Sequence, residues 1–401
     1  MIDGTAGVRG HRKVDEALLD SLAAIEAADP GRMLRHTASA GAQVRESAAL
    51  AAEANLTSIA GEGRPRAVVV AGQGTAARTG DILATVAGPK CPVPVLAHRS
   101  AGVPGWVGAG DVVIAVSASG RSPEALSAAD AAARRGARLV AIGAPDSELE
   151  SVAERARAPF IAVPRRAPAR AAIWGLTIPV LLAARTLGLV KITEADIAET
   201  ATRLDADAER CRPSAESFVN PAKSLALDLA GSIPIVWGSS MLATVAARRF
   251  ADSLSANARY PAVAGALGEA GRGRVGLLDG VYGALSEVDR DIFADPSEDA
   301  DNDATRLRVV LLRDGGLVSD EETIEPEPVA VEERRADAVQ EIAERRGVRV
   351  STLTAEGGST LERLASLIAV PDFASLYLAI AHGLDPMAVP AMSEMKDFVT
   401  P

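Results

Sequence analysis

Three serine hydroxyls stand close together in one short segment of the sequence, which reads Ser117-Ala-Ser119-Gly120-Arg-Ser122-Pro-Glu. Hydroxyl groups donate hydrogen bonds to phosphate oxygens, and a glycine lets backbone amides approach the same oxygens. The alanine-rich stretch that follows has helical character, and the amino end of a helix carries a partial positive charge. The segment therefore predicts a binding site for a phosphate or a similar anion. A simple helix cap is the alternative, because Ser and Pro-Glu commonly begin helices.

A second turn, residues 72–80 (GQGTAARTG), also joins an apolar run to an alanine-rich stretch. Its glycines are spaced as in a dinucleotide-binding fingerprint, in which glycine allows close approach to a pyrophosphate. That fingerprint needs an acidic residue after the next apolar run to hold a ribose, whereas this sequence has His98-Arg99 there. An NADP-dependent oxidoreductase is therefore the one dinucleotide hypothesis that this turn leaves open.

Short apolar runs precede both turns and recur along the chain, separated by helical stretches. Runs that are apolar throughout are typical of strands covered on both faces, and their alternation with helices predicts parallel sheets built from βαβ units. The runs are 67–71, 93–97, 112–117, 139–144 and 160–164 in the first half and 233–238, 275–280, 307–313 and 348–353 in the second half. Residues 68–75 and 234–241 are weakly similar, which indicates a duplicated domain.

The composition excludes several classes of protein. The 401 residues are 48% apolar and 24% charged, so long disorder is not expected. A net charge of −11 without a basic block argues against nucleic acid or an anionic membrane as the partner. Two cysteines and four histidines are too few for a disulfide framework or a zinc site, and we predict neither a metal nor a cofactor.

Three further segments concern the location of the protein or the binding of calcium. The amino terminus lacks the pattern of a secretory signal. The apolar stretch 171–190 has the length of a membrane span but contains a proline and an arginine, which predicts a buried helix instead. The acidic stretch 289–303 lacks the glycine and the glutamate of a calcium-binding loop and is interpreted as a solvated insertion. A cytoplasmic protein is therefore expected.

The order of the segments resembles the bifunctional phosphoglucose/phosphomannose isomerases, which consist of two sugar isomerase (SIS) domains. The first turn of that family reads roughly G-M-G-G-S-A-I-G-G-D-L-L, and residues 72–83 here read GQGTAARTGDIL. The phosphate turn of the family reads S-Y-S-G-N-T-E-E-T-L, and residues 117–126 here read SASGRSPEAL. The resemblance runs from about residue 30 to the end of the chain, apart from the acidic insertion.

The resemblance implies an α/β fold of two SIS-type, three-layer αβα domains with doubly wound parallel sheets. The N-terminal domain with its leading helices is expected at residues 1–192, followed by a helical bridge at 193–215. The C-terminal domain is expected at 216–401, with the acidic insertion at about 286–305.

The same resemblance implies which residues bind the substrate and which take part in catalysis. The substrate-binding residues that it implies are Gly74, Thr75, Ser117, Ser119, Gly120, Ser122 and Arg170. Arg272 departs from the family pattern and is added as a predicted substrate contact because a guanidinium binds phosphate or carboxylate groups. The closing segment Asp385-Pro386…Met395-Lys396 resembles the D-P…L-K pattern of the family and implies that Lys396 is the active-site lysine. Glu269 matches the glutamate of the family motif P-E-x-N-H-N.

The departures from the family concern proton transfer. Aldose–ketose isomerisation needs a base that moves a proton between C1 and C2 and a group that opens the sugar ring. A glutamate in N-E-N-A-K and a histidine in P-E-x-N-H-N have these roles in the family, but Ala256 and Arg272 stand in their places here. Ala76 also replaces a serine that contacts the ligand. Alanine cannot transfer a proton, and a guanidinium stays charged up to a pH of about 12, so weak, altered or lost catalysis is expected.

The leading hypothesis is a protein that binds a phosphosugar, such as glucose 6-phosphate or mannose 6-phosphate, on an SIS fold derived from an isomerase. The family relationship implies a homodimer. One alternative is a working isomerase in which Glu269 replaces the missing carboxylate. The others are a non-catalytic regulatory or assembly protein on the same fold and the NADP-binding oxidoreductase.

Overall fold

The computed structural model describes residues 14–61, 63–286, 306–315 and 328–399. These residues divide into two compact units. The first unit comprises Arg35–Glu209 and Glu356–Ala369, and the second unit comprises the described parts of Met1–Leu34, Arg210–Ala355 and Val370–Pro401. The domain boundaries predicted after residues 192 and 215 stay a prediction.

The first unit contains five strands that pair only in parallel. They are β1 (Val68–Ala71), β2 (Val95–His98), β3 (Val112–Ser117), β4 (Arg138–Gly143) and β5 (Phe160–Ala162). Their order in the sheet is β2-β1-β3-β4-β5. Every residue of β1 and β3 is buried, which explains why these runs are apolar throughout. All five strands predicted in this half are confirmed, with ends shifted by no more than two residues.

Helices cover both faces of this sheet. The helices of this unit up to residue 210 are α3 (Met33–Ala38), which begins at the unit boundary, α4 (Ala40–Glu53), α5 (Thr75–Ala87), α6 (Pro123–Arg134), α7 (Glu148–Ala156), α8 (Ile173–Thr186) and α9 (Glu194–Arg210). The two helices that precede them, α1 (Ala17–Asp20) and α2 (Leu22–Ala28), belong to the second unit. Val69 packs in one core cluster with residues of α6 and α7, whereas Val70 lies against Gly80 of α5. Successive residues of a strand face opposite sides, so this alternation gives the predicted three layers. Residues 173–184 of α8 are all buried, as predicted.

The second unit contains a smaller sheet of the same kind. Its strands are β6 (Ser232–Gly238), β7 (Val263–Ala266), β8 (Arg306–Arg313) and β9 (Arg349–Thr354), all paired in parallel in the order β7-β6-β8-β9. The helices after residue 210 are α10 (Pro221–Leu229), α11 (Met241–Ser253), α12 (Leu267–Ala270), α13 (Pro328–Arg345), α14 (Thr360–Ala381) and α15 (Pro390–Val399). Residues 360–369 of α14 are assigned to the first unit and the rest of the helix to the second unit. The predicted strands at 233–238, 307–313 and 348–353 are confirmed.

The strand predicted at 275–280 is wrong. Residues Arg274–Asp279 form a 3₁₀ turn in which Leu278 is fully buried while Leu277 is 42% exposed. The strand at the edge next to β6 is β7 instead, whose sequence VAGA has little strand character. A short apolar run between glycines is compatible with a strand and with a helical turn. Here the packing of Leu278 in the core goes with the helical turn. The acidic stretch 289–303 lies outside the described residues.

In the described ranges, α14 is long and apolar enough to cross a membrane by length and composition, with a mean hydropathy of 1.8. Its most apolar window is nevertheless completely buried in the protein. A core helix of a folded domain satisfies the same criteria of length and hydropathy.

In both sheets, the two strands that follow the first strand of the unit lie on opposite sides of it. From β1 the chain adds β2 on one side and β3 on the other, and from β6 it adds β7 and then β8 in the same way. Ligands of doubly wound sheets bind in the crevice at the carboxyl ends of such a strand pair. The β1/β3 pair defines the first crevice, and the β6/β8 pair defines the second crevice.

Candidate phosphate-binding site

The serine turn, residues 117–122, connects the carboxyl end of β3 to α6. The Gly120 amide donates to the Ser117 carbonyl oxygen at 3.0 Å, and Gly120 has a φ of 67°, in the left-handed region that glycine tolerates. The Gly120 carbonyl oxygen accepts a hydrogen bond from the Leu149 amide at 3.0 Å. The turn therefore rests on the amino end of α7.

Two glycines make this close packing possible. A Cβ atom at Gly120 would lie 2.1 Å from Ser147 Oγ and 2.3 Å from Ser147 Cβ. A Cβ atom at Gly143, the last residue of β4, would lie 2.6 Å from the Ser117 carbonyl oxygen. Any side chain at either position would push the serine turn away from its support.

Gly120→Ala is expected to destabilise the protein and to weaken phosphate binding. The left-handed backbone costs a residue with a Cβ about 1–2 kcal/mol, and the overpacking against Ser147 costs about 1–3 kcal/mol more. Gly102→Ala is the matched control, because Gly102 has a φ of 74° and a Cβ atom there would have no neighbouring atom within 4 Å. Urea unfolding of both variants measures the difference, and equal losses of stability would contradict the packing role of Gly120.

The hydroxyl groups of the serine turn converge. Ser117 Oγ lies 2.9 Å from Ser122 Oγ and 3.5 Å from Ser119 Oγ. Ser117 Oγ also accepts from the Ser122 amide at 3.3 Å, and Ser119 Oγ accepts from the Arg121 amide at 3.2 Å. Ser117 is 1% exposed, whereas Ser119 and Ser122 are half-buried. Ser117 is thus the buried serine that holds the turn together, and Ser119 and Ser122 are the two serines of the turn that retain exposed surface.

The backbone amides around the turn form two groups. Those of Gly120, Arg121 and Ser122 donate within the turn. Within the part of the chain that the structure describes, the amides of Glu124 and Ala125 have no hydrogen-bond partner, and the Ser122 side chain makes no capping bond. These two amides lie in the first turn of α6, where the helix dipole favours an anion.

The turn after β1 presents a second helix end in the first crevice. A Cβ atom at Gly72 would lie 2.9 Å from the Val116 carbonyl oxygen, so glycine lets this turn approach β3. Gly74, with a φ of 55°, precedes the first residue of α5 and makes no side-chain cap. The amides of Gly74 and Thr75 have no hydrogen-bond partner among the described residues. Two adjacent strands therefore lead into helix ends with free donors, as anion binding requires.

Arg170 belongs to the same unit. It lies in the 3₁₀ turn Ala169–Ala171, which precedes α8 and contacts α5. Gln43 fixes this turn, because its Nε2 donates to the Ala171 carbonyl oxygen at 2.8 Å and its Oε1 accepts from the Gly175 amide at 3.2 Å. The contact of Arg170 with a sugar phosphate stays a prediction.

The remaining predicted site residues belong to the second unit. Glu269 and Arg272 are both exposed, and the Arg272 amide donates to the Glu269 carbonyl oxygen at 2.9 Å. Ala256 is half-buried in the π-helical turn Leu254–Ala258 that follows α11. Lys396 is part of α15, and its side chain lies outside the described part of the structure. The catalytic roles of Glu269 and Lys396 stay predictions.

A buried polar network holds the turn that contains Ala256. Asp372 of α14 accepts from Arg249 Nε at 3.1 Å and from Arg249 Nη2 at 3.0 Å. Ser253 Oγ donates to the same carboxylate at 2.6 Å, and Asn257 Nδ2 donates to Ser375 Oγ at 2.9 Å. Sequence reasoning missed this network, although polar residues at 249, 253 and 257 have the spacing of one helix face.

A pocket of about 380 Å³ lies at the amino end of α7, beside the serine turn. Its lining residues are Arg121, Asp146, Ser147, Glu148, Glu150, Ser151 and Glu154. Four carboxylates in one pocket repel an anion, so this pocket does not suit a phosphosugar. In the described ranges, no group of three or more His, Cys, Asp or Glu side chains is arranged to hold a metal.

Comparison with known proteins connects this geometry to a family. Residues 218–399 match the family model described as "Bacterial phospho-glucose isomerase C-terminal SIS domain". The chain is 28% identical over 330 residues to a bifunctional phosphoglucose/phosphomannose isomerase of Caldicellulosiruptor bescii, which covers 82% of this chain and 88% of that protein. The resemblance found in the sequence motifs is thereby confirmed.

Solved structures show the same fold. A hypothetical protein of Thermus thermophilus is similar with a TM-score of 0.68 and 16% identity, over 96% of this chain and 94% of that one. The tagatose-6-phosphate ketose/aldose isomerase of Escherichia coli has a TM-score of 0.64 and 15% identity, over 94% of this chain and 98% of that one. The predicted α/β fold of SIS type is confirmed. Residues 218–399 thus match the C-terminal SIS domain of the bacterial phosphoglucose isomerases, in a chain that is similar over most of its length to a bifunctional phosphoglucose/phosphomannose isomerase.

Proposed function

We propose that the protein binds a phosphosugar whose phosphate group lies on the serine turn in the first crevice. The observation that carries this proposal is the set of donors at one helix end. It consists of the hydroxyls of the half-buried Ser119 and Ser122 and of the amides of Glu124 and Ala125, which have no hydrogen-bond partner among the described residues. A phosphate has several oxygens that accept hydrogen bonds, and the amino end of α6 adds favourable electrostatics. Gly74, Thr75 and Arg170 belong to the same unit and are the further contacts that we propose.

The chemistry that we propose is aldose–ketose isomerisation, weakened, altered or lost in this chain. Ala256 has no ionisable group, and the guanidinium of Arg272 is a poor proton shuttle. Glu269 and Lys396 are the groups that we propose for any remaining proton transfer. The same two replacements favour the alternative of a non-catalytic regulatory or assembly protein that responds to the sugar.

We also propose a cellular location, an oligomeric state and the absence of a cofactor. A cytoplasmic homodimer without a nucleic acid or membrane partner is consistent with the net charge of −11 and with the relationship to the phosphoglucose/phosphomannose isomerases. No cofactor is required, because proton transfer between two carbon atoms of a sugar needs only acid and base groups.

Ser119→Ala combined with Ser122→Ala is expected to remove phosphosugar binding without unfolding the protein. A ligand present at 100 times its dissociation constant stabilises the folded state by about 2.7 kcal/mol, so wild-type protein should show a clear rise in melting temperature with glucose, mannose or fructose 6-phosphate. The double variant should lose this rise. Ser58→Ala is the matched control, since Ser58 is an exposed serine of the same unit.

Unphosphorylated glucose separates phosphate recognition from sugar recognition and should leave the melting temperature unchanged. The proposal is overturned if none of the three phosphosugars stabilises the wild-type protein. It is overturned equally if the double serine variant responds to them as strongly as the wild type.

A further inference from the structure

Three exposed arginine side chains lie around α12 in the second unit. They are Arg272, Arg274 and Arg335, and among the described residues their guanidinium groups form no hydrogen bond and no ion pair. Other arginines of this unit are paired with carboxylates, namely Arg249, Arg308, Arg313, Arg345 and Arg346. A guanidinium group has five N–H donors and no acceptor. The partner that suits these three side chains, here called the arginine cluster, is therefore an acceptor.

Two glycines place the arginine cluster at the junction of β7 and α12. A Cβ atom at Gly265 of β7 would lie 2.5 Å from Arg274 Nη1, and a Cβ atom at Gly268 of α12 would lie 3.3 Å from Arg335 Nη1. Both guanidinium groups thus lie where a side chain of the junction would otherwise be. Arg272 follows the end of α12 by two residues. The cluster is therefore at the carboxyl end of a parallel strand, the edge at which ligands of such sheets bind.

A buried donor lies on the same face of the sheet. Trp237 of β6 is fully buried, and its Nε1 has no hydrogen-bond partner among the described residues. Trp237 stands opposite Gly265 in the register of β6 and β7. Side chains of directly opposite residues are on one face of a sheet, so the indole and Arg274 Nη1 share that face. A buried donor without a partner requires an explanation in a native protein, and an acceptor bound beside Arg274 is one.

The neighbouring carboxylates only partly balance the arginine cluster. Those that already have an ion-pair or hydrogen-bond partner are Glu333, Asp337 and Asp314, bound to Arg313, Arg313 and the Ser240 hydroxyl. Glu269 of α12 and Glu332 of α13 remain, and burial raises the pKa of Glu332. Three guanidinium groups therefore stand against two carboxyl groups, and an anion with two or more charges is attracted overall.

We propose that the arginine cluster binds a small oxyanion with two or more negative charges, carried by phosphate or carboxylate groups. Guanidinium groups bind both kinds of group through two parallel hydrogen bonds, which gives the site its chemical selectivity. All the residues of this site belong to the second unit. The inference therefore does not rest on the proposed function, which concerns the serine turn of the first unit.

Calorimetric titration of the full chain with pyrophosphate tests the proposal. The variant with Ser119→Ala and Ser122→Ala is the background, so that the serine turn does not contribute. This protein should bind pyrophosphate at one site, and added salt should weaken the binding. Adding Arg274→Gln or Arg335→Gln should weaken it about ten-fold, because each change removes charge-assisted hydrogen bonds. Arg345→Gln is the matched control: Arg345 is a 64% exposed arginine of α13, and its loss should leave the affinity unchanged.

A parallel titration with citrate identifies the group that is recognised, since tighter binding of pyrophosphate favours phosphate and tighter binding of citrate favours carboxylates. The inference is overturned if neither anion binds to the double serine variant. It is overturned equally if the variants Arg274→Gln, Arg335→Gln and Arg345→Gln all bind with the same affinity. Failure of the proposed function has a different result, because phosphosugars would then not stabilise the wild-type protein while pyrophosphate still binds at the arginine cluster.

Discussion

Ala256→Glu combined with Arg272→His is expected to increase the isomerisation rate of glucose 6-phosphate or mannose 6-phosphate by about 10²–10⁴-fold for each proton-transfer group restored. Glutamate would supply the base that moves the proton between C1 and C2, and histidine would supply a group that titrates near neutral pH for ring opening. Ala256 is half-buried in a turn held by the Asn257–Ser375 hydrogen bond, so the new carboxylate would stand on a fixed backbone.

A coupled assay of fructose 6-phosphate formation measures this gain. Ala256→Gln with Arg272→Asn is the matched control, because glutamine has the size of glutamate but cannot accept the proton. If wild-type protein is already active, Glu269→Gln should remove that activity, whereas a restored glutamate at 256 should make Glu269 dispensable. The prediction fails if the Glu and His variant is folded, binds the phosphosugar and is no faster than its control.

Asp372→Ala is expected to decrease the free energy of unfolding by about 3–5 kcal/mol, the usual cost of leaving one partner of a buried ion pair alone. The side chains of Arg249 and Asp372 are only 7% and 10% exposed. The same substitution also leaves the Ser253 hydroxyl without its acceptor. Urea unfolding followed by circular dichroism measures the loss.

The exposed pair of Glu341 and Arg345 is the matched control for this experiment. Its side chains are 70% and 64% exposed and lie 3.9 Å apart in the same unit. Exposed pairs contribute about 0–1 kcal/mol, so Glu341→Ala should hardly change the unfolding midpoint. Equal effects of Asp372→Ala and Glu341→Ala would show that the buried pair does not hold α11 against α14.

The sequence was most informative where the relevant residues are neighbours in the chain. The strands of the first unit were predicted from apolar runs, because a strand covered on both faces must be apolar at every position. The serine turn was predicted because its hydroxyls, its glycine and its helix start lie within a few residues. The strand predicted at Val275–Gly280 was wrong, since an apolar run of six residues fits a buried strand and a partly buried 3₁₀ turn equally well.

The sequence by itself determined the βαβ pattern and the hydroxyl groups of the serine turn. It also places alanine at 256 and arginine at 272, the two residue types on which the prediction of weak, altered or lost catalysis rests. Which acidic residues form structural hydrogen bonds and ion pairs is known only from the tertiary structure. Asp314 reaches Ser240 from 74 positions away in the chain, and Asp372 pairs with Arg249 across 123 positions. A carboxylate carries the same charge in every context, so its partner depends on which strands and helices become neighbours, and this is determined by packing of the apolar core.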